Sequence, residues 1–136
     1  MKVKKVIIHA DGASRGNPGP AAIGATIRDE QGGLIASISK CIGRTTNNQA
    51  EYRAVIAALE KAIGLGAEEV DINLDSQLVV RQISGEYRVK NAALKPLYQQ
   101  VKQKLNLLNG FTIAYIPRRQ NKEADRLASR ALSSSV

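Results

Sequence analysis

Tryptophan is absent from this chain, and cysteine and histidine occur once each in its 136 residues. The single cysteine, Cys41, excludes an internal disulfide framework and is typical of a reducing cytosol. We therefore expect a cytoplasmic protein in which Cys41 packs as a small apolar side chain at a strand end. No run of about 18 apolar residues occurs, so we expect no membrane span, and the apolar run after the first lysines is too short for a signal peptide.

Acidic residues are in the minority, with 12 Asp and Glu against 20 Lys and Arg, which gives a net charge of +8. Residues 81–104 hold six of the basic residues beside one acid, Glu86, and a second basic group lies near the C-terminus. Many soluble proteins are simply basic, but this clustering favours a polyanionic partner, and nucleic acid fits better than a small acidic metabolite. The second group is Arg118, Arg119, Lys122, Arg126 and Arg130.

The length and a hydrophobic fraction of 43% predict one globular domain. Apolar periodicity and turn residues predict the order βββαβααβα. The short link between the second and third strands makes them antiparallel neighbours, whereas the later strands are joined by helical crossovers and run parallel. We expect a single α/β domain over residues 1–132 and a frayed tail over residues 133–136. The predicted strands are 4–10, 22–28, 34–41, 70–74 and 111–116, and the predicted helices are 47–65, 76–83, 95–108 and 121–132.

Four acids stand at or near the ends of these predicted elements. Asp11 and Asp75 follow two strands expected to be neighbours, and the carboxyl ends of parallel strands are where sites usually form. Glu51 and Asp125 lie in the first turns of two helices, at the edge of their apolar faces. A buried carboxylate is costly unless a cation compensates it, and oxygen ligands without a matching His or Cys set suit Mg²⁺ or Mn²⁺. Two such ions about 3.5–4 Å apart can promote phosphodiester cleavage.

Three of these acids also have a structural explanation. Asp11 precedes a glycine and could cap a turn, and Asp75 with Ser76 could cap the helix that follows. Asp125, near a helix N-terminus, interacts favourably with the helix dipole. Glu51 has no such task, because it begins an alanine-rich buried face. Spacing alone leaves metal chemistry and these structural roles open.

Four stretches of the chain resemble the carboxylate-bearing blocks of the ribonuclease H type 1 family, in the family's order, across residues 4–132. They are DGASRGNPGPAAIGA, GRTTNNQAEYRAVIAAL, LDSQLVVRQI and NKEADRLASRAL. The resemblance implies a ribonuclease H-like α/β fold, a five-stranded mixed sheet in the order 3-2-1-4-5 flanked by helices, with strands 1–3 antiparallel and strands 1, 4 and 5 parallel. It also implies an endonuclease that hydrolyses the RNA strand of RNA–DNA hybrids and leaves 5′-phosphate and 3′-hydroxyl ends.

The resemblance assigns the catalytic and metal-binding roles to the same four acids. Asp11 and Asp75 would bridge or flank two Mg²⁺ or Mn²⁺ ions. Glu51 would hold one ion and contact the 2′-hydroxyl side of the cleaved nucleotide, where RNA differs from DNA. Asp125 would complete the other ion's site. The implied partner is therefore an RNA–DNA hybrid, bound by a protein that we expect to be a monomer without membrane contact.

Further family contacts have counterparts in this chain. Asn47 and Gln77, with Asn48 as a neighbour, match residues that touch the minor groove and sugars, although Asn47 could simply cap a helix. Asn17, Arg44 and Thr46 match a pocket for a phosphate of the DNA strand, which would favour a hybrid over duplex RNA. Glycines such as Gly12 and Gly16 would let the backbone approach the nucleic acid. The expected substrate-binding residues are Gly12, Asn17, Arg44, Thr46, Asn47, Asn48, Gln77, Tyr87, Lys90, Asn91, Arg118 and Arg119.

The sequence departs from many family members in two places, and it is closer to the branch that lacks both features. Many members have a histidine on the loop before the last helix, where this chain has Arg118 and Arg119. Arginine cannot shuttle protons near neutral pH, but it can hold phosphate. The basic handle, an extra helix with tryptophans, is also missing. Tyr87, Lys90 and Asn91 could partly replace it by stacking and charge, or they could form a solvated loop.

Two other functions remain open. The first is a hybrid- or RNA-binding module of the same fold with weak or no catalysis, which the absent loop histidine favours and the four mutually repelling acids oppose. The second is another nuclease on this fold, such as a resolvase or a duplex-RNA nuclease. We also expect His9, two residues before Asp11 on the same strand face, to be a packed core residue rather than a metal ligand.

Overall fold

Residues 4–134 are described by the structure, a computed structural model. Within this range the strands are β1 Lys5–Ser14, β2 Gly19–Arg28, β3 Leu34–Thr45, β4 Glu69–Leu74 and β5 Gly110–Tyr115. The α-helices are α1 Asn47–Gly64, α2 Gln77–Ile83, α3 Lys95–Leu105 and α4 Lys122–Ser134. The strands form one mixed sheet in the order β3-β2-β1-β4-β5, with β1, β4 and β5 parallel and β1, β2 and β3 antiparallel. The predicted fold class and strand order are confirmed.

Helices cover both faces of the sheet, and two glycines allow them to approach closely. A Cβ atom at Gly12 would lie 2.2 Å from the backbone of Ala50 in α1, and one at Gly24 would lie 2.2 Å from the backbone of Ala124 in α4. Asp11 pairs with Gly24 across β1 and β2, and consecutive strand residues face opposite sides. Asp11 therefore faces α4, whereas Gly12 faces α1.

Helix α1 begins at a capping box and buries an alanine-rich face. The hydroxyl of Thr46 accepts the N–H of Gln49 at 3.2 Å, and the Gln49 side chain accepts the N–H of Thr46 at 3.1 Å. The alanine-rich buried face expected after Glu51 is confirmed, since five of its residues are fully buried. These residues are Ala54, Val55, Ala58, Leu59 and Ala62.

Two predictions about β1 and β3 were wrong in detail. β1 does not end before Asp11 but continues to Ser14, because its pairing with β2 outlasts its pairing with β4. β3 runs on to Thr45, so Cys41 lies within an edge strand and is exposed rather than packed. Its thiol contacts the carbonyl of Ala131 at 2.9 Å.

The C-terminal boundary also differs slightly from the expected one. Helix α4 continues to Ser134, so the first half of the expected tail is helical, and residues 135–136 lie outside the described range. Among residues 4–134, no helix is both long and apolar enough to cross a membrane.

Candidate metal centre and nucleic-acid interface

The site lies where β1 separates from β4, a point we call the fork. Ala10 and Leu74 form the last parallel pair between these strands. The next residue on β1 is Asp11 and the next after β4 is Asp75, so two carboxylates leave neighbouring strands at the same level. This placement follows from the sheet topology. Neighbouring parallel strands have their carboxyl ends at the same edge of the sheet, so the residues that follow the two strands lie close together.

Glu51 reaches the same point from helix α1. Its Oε1 atom accepts the N–H of Gly12 at 2.8 Å, which ties the first turns of α1 to the backbone beside Asp11. Its Oε2 atom is buried and has no hydrogen-bond partner among the described residues. A side chain at residue 12 would collide with Ala50 and Glu51, so Gly12 has a packing reason in addition to the predicted approach of substrate.

One carboxylate oxygen from each of Asp11, Glu51 and Asp75 lies within 4.8 Å of the other two. They line a cavity of about 450 Å³ at the carboxyl end of the parallel strands, and we call it the acidic cavity. Asp125, in the first turn of α4, lines the same cavity, together with Asn47, Ser76 and Arg118. The fold therefore brings all four predicted acids to one place, although their catalytic roles stay predictions.

The electrostatics of the acidic cavity are unfavourable for carboxylates that lack a cation. Burial, followed by the neighbouring Glu51 carboxylate, raises the pKa of Asp11 far above its ordinary value. Burial also raises the pKa of Glu51, although hydrogen bonds from its surroundings partly oppose this. The pKa of Asp75 is raised as well, again chiefly by burial. Bound cations would reverse this balance, because a divalent ion favours the ionised carboxylates.

Arg118 and Arg119 lie on the loop where many family members have a histidine, and the two side chains have different surroundings. The guanidinium of Arg118 lies 3.6 Å from the carboxylate of Asp125 and is mostly exposed at the rim of the acidic cavity. Arg119 instead lines a second, smaller cavity of about 140 Å³. Of the two predicted contacts, the structure therefore brings only Arg118 to the carboxylates.

His9 also lines this second cavity, beside Arg28 and Glu123. It is half-buried rather than packed in the core, so the expected core position was wrong, because α4 leaves a gap over this part of β1. Burial lowers the pKa of His9, which favours a neutral imidazole. His9 is not part of the acidic cluster formed among residues 4–134.

Residues predicted to hold a DNA-strand phosphate gather at the N-terminus of α1. The side-chain oxygen of Asn17 accepts the N–H of Asn47 at 2.9 Å, next to the N-cap Thr46. Arg44 is exposed and pairs with Pro20 at the end of β3, which brings it to the same corner. Because Asn47 also lines the acidic cavity, this corner is continuous with the carboxylates.

The remaining predicted contacts lie farther along the surface. Asn48 and Gln77 are exposed at the first turns of α1 and α2. Residues 84–94, which we call the α2–α3 loop, carry the other three predicted contacts, Tyr87, Lys90 and Asn91. Tyr87 is 46% exposed and stacks on Arg81 at 5.4 Å, while Lys90 is exposed. Asn91 accepts the N–H groups of Ala93 and Leu94, so it has a structural task in shaping the start of α3.

The sequence interpretation missed one polar residue beside the acids. Asn121 is 1% exposed, and its amide donates to the carbonyl of Ala10 at 2.9 Å. Its position four residues before Asp125 at a helix start is a sequence signal, but that position is ordinarily explained by helix capping.

Comparisons with known proteins agree with this geometry. A family model described as reverse transcriptase-like matches residues 9–131. The bifunctional protein Rv2228c of Mycobacterium tuberculosis is 44% identical over 133 residues, which are 97% of this chain and 36% of that protein. Ribonuclease HI of Halobacterium salinarum is 43% identical over 127 residues, 92% of this chain and 64% of the relative. The chain thus spans between about a third and two thirds of the length of these curated relatives.

A solved structure of LC11-RNase H1 in complex with an RNA/DNA hybrid is similar over almost the whole domain. It is 40% identical with a TM-score of 0.91, covering 96% of this chain and 98% of that one. At this identity, the likeness extends beyond the fold to the sequence.

Proposed function

This chain belongs to the ribonuclease H family of reverse transcriptase-like domains, and on that basis we propose that it is a metal-dependent endonuclease that hydrolyses the RNA strand of RNA–DNA hybrids. The observation that carries the proposal is the convergence of Asp11, Glu51 and Asp75 within 4.8 Å, with Asp125 in the same cavity. The similar LC11-RNase H1 holds an RNA/DNA hybrid, which supports this substrate. The products would be 5′-phosphate and 3′-hydroxyl ends.

The donor set of the acidic cavity fits hard divalent cations. Asp11, Glu51 and Asp75 each offer a carboxylate oxygen to this site, and Oε2 of Glu51 is buried without a hydrogen-bond partner among residues 4–134. Such oxygens suit Mg²⁺ or Mn²⁺. The raised pKa values of Asp11 and Glu51 show how strongly the folded chain disfavours these charges without a cation. We infer two such ions per site, in line with the family resemblance.

When bound, two divalent ions would supply an activated water and stabilise the leaving oxygen. Asp11 and Asp75, which leave neighbouring strands at the fork, would flank both ions. Glu51, fixed by Gly12, would hold one ion on the side of the RNA 2′-hydroxyl, and Asp125 would complete the other site. Arg118, exposed at the rim, cannot exchange protons and would instead hold a phosphate of the substrate.

Recognition of the hybrid would use residues beside the acidic cavity and others farther along the surface. The corner formed by Asn17, Arg44 and Thr46 would hold a phosphate of the DNA strand. Asn47, Asn48 and Gln77 would contact the minor groove, and the α2–α3 loop would contact more distant phosphates through Lys90. Arg119, which faces the second cavity, would contribute only indirectly. A single domain over residues 1–132, a cytoplasmic location and a monomeric state stay predictions.

The decisive experiment uses one labelled RNA in three forms: single-stranded, paired with DNA and paired with RNA. Each is incubated with the purified protein and Mg²⁺ or Mn²⁺, beside the Asp11→Asn variant. We expect cleavage of the hybrid alone, and loss of that cleavage in the variant. Hybrid binding without cleavage in either metal would instead support the binding module, and cleavage of duplex RNA would support a different nuclease.

A further inference from the structure

The side chain of Asn121 lies at the fork, near the segments that carry Asp11, Asp75 and Asp125. Its amide donates to the carbonyl of Ala10, a residue of the last β1–β4 pair and the residue directly before Asp11. With 1% of its surface exposed, Asn121 is buried as deeply as the hydrophobic core. A buried backbone carbonyl needs a donor, and at this place the donor is a side chain rather than a strand.

Asn121 also interacts with two further acidic residues, Asp75 after β4 and Asp125 in α4. An interaction with its amide offsets part of the rise that burial causes in the pKa of Asp75. The carbonyl of Asn121 accepts the N–H of Asp125 at 3.1 Å, so Asp125 stands one helical turn after it. One residue therefore bonds the backbone next to Asp11 and the helical turn that carries Asp125, and its amide acts on the carboxyl group of Asp75.

Helix capping does not explain the Asn121 side chain. A capping asparagine uses its side-chain oxygen to accept an N–H from the first turn of the helix. Here that oxygen, Oδ1, is buried and accepts no hydrogen bond within residues 4–134, while the amide nitrogen is directed to Ala10. The side chain thus serves the fork rather than the start of α4.

We propose that Asn121 is a positioning residue of the metal centre, which holds the ends of β1, β4 and α4 so that Asp11, Asp75 and Asp125 are already arranged to bind divalent ions. The proposal rests on the proposed function of the acidic cavity. Outer-shell partners of metal-binding carboxylates typically contribute about 10–100-fold to metal affinity or activity. Asn121 does not touch the substrate, so its effect should fall on metal affinity and kcat rather than on KM for the hybrid.

The test compares Asn121→Leu with a matched variant, Gln82→Met, in the full chain. Gln82 is also buried, at 5% exposed, and accepts the hydroxyl of Tyr52 at 2.7 Å, away from the acids. Both substitutions keep the side-chain size and remove one buried hydrogen bond, so both should lower the Tm without metal. Mn²⁺ affinity is measured by calorimetric titration, and hybrid cleavage gives kcat and KM.

We expect Asn121→Leu to raise the Kd for Mn²⁺ and to lower kcat, each by about tenfold or more, with KM for the hybrid within about threefold. Gln82→Met should leave the Kd and kcat within about threefold. If Asn121→Leu does not fold, Asn121→Ser takes its place, since serine is favourable at the start of a helix but is too short to reach the carbonyl of Ala10, and the same losses are expected.

An unchanged Kd for Mn²⁺ in the folded Asn121 variant would overturn the proposal, as would an equal loss of metal affinity in Gln82→Met. Because metal affinity is measured without substrate, this outcome is separate from the fate of the proposed function. A wild-type protein that binds Mn²⁺ but does not cleave the hybrid would overturn the function and leave the comparison of metal affinities intact.

Discussion

The acidic cavity and the α2–α3 loop are both predicted to serve one substrate, but they are held in very different ways. In the cavity, Asp11 and Glu51 are 7% and 4% exposed, and the backbone N–H of Gly12 donates to the Glu51 side chain. In the loop, Tyr87 and Lys90 are exposed, and Asn91 bonds only to its own neighbours. The acids are unfavourable to folding without a ligand, whereas an exposed side chain of the loop such as Lys90 has little effect on folding.

This difference makes the buried acids stronger evidence of function than the exposed residues of the loop. A buried like-charge cluster costs stability, so its presence needs a compensating cation and points to a metal site. An exposed basic residue is compatible with solvent and with nucleic acid alike. Substitutions in the cavity should therefore have large and opposite effects on activity and on metal-free stability, whereas substitutions in the loop should have small effects on binding alone.

The largest effect is expected for Asp11→Asn. Loss of a central metal ligand should lower hybrid cleavage by about three orders of magnitude or more. The same change removes one of several crowded charges, so the Tm without metal should rise by about 3–6 °C. Asp71→Asn is the control, because this β4 carboxylate contacts Lys5 and Thr112 away from the cavity. Near-wild-type cleavage by Asp11→Asn would contradict the assignment of the cavity.

A second prediction concerns the pH dependence of stability without metal. The pKa values of Asp11 and Glu51 are raised in the folded state, so the folded chain binds more protons than the unfolded chain above about pH 4. The contribution of these acids to the free energy of unfolding is therefore fully present at lower pH and is lost as the pH rises through the folded-state values.

Denaturant unfolding from about pH 5 to about pH 9, with a chelator, checks this prediction against Asp11→Asn. The wild type should lose stability relative to the variant as the pH rises, by a few kcal/mol in order of magnitude. Added Mg²⁺ or Mn²⁺ should abolish or reverse the slope, because the ions bind the deprotonated carboxylates. A stability difference that is independent of pH would mean that folding does not raise the pKa of Asp11.

Local periodicity was sufficient for the order of the elements, for the antiparallel and parallel strands and for the burial of α1. The rule that parallel neighbours end at one edge placed Asp11 and Asp75 together. The family resemblance then supplied the strand order of the sheet and the roles of the four acids, which spacing alone left open.

What the sequence could not give are features created by two elements meeting. The continuation of β1 beyond Asp11 depends on its pairing with β2 after β4 has ended, and the burial of Asn121 arises only when α4 packs over the fork. The half-buried position of His9 likewise depends on where α4 covers the sheet. The sequence next to Asp11, Asn121 and His9 has no pattern that predicts the surroundings of these residues in the fold.

An intermediate effect is expected at the corner beside the cavity. Arg44→Ala should raise KM for the hybrid by about 3–10-fold with little change in kcat, because it removes one phosphate contact remote from the acids. If this corner selects the DNA strand, the preference for hybrid over duplex RNA should fall as well. Arg53→Ala, an exposed arginine on α1 that belongs to neither basic group, is the matched control. A variant with unchanged KM and preference would remove Arg44 from the interface.

The smallest effect is expected for Lys90→Ala in the α2–α3 loop. A lysine that meets one phosphate releases about one counterion, so its loss should raise KM about 2–3-fold and reduce the salt slope of binding by about 1. Lys61→Ala, an equally exposed lysine in the last turn of α1, should change neither quantity. Identical salt slopes for both variants would make the loop a solvated connection. A slope that falls only in Lys90→Ala would show that an exposed residue without structural partners still contributes to binding, through charge alone.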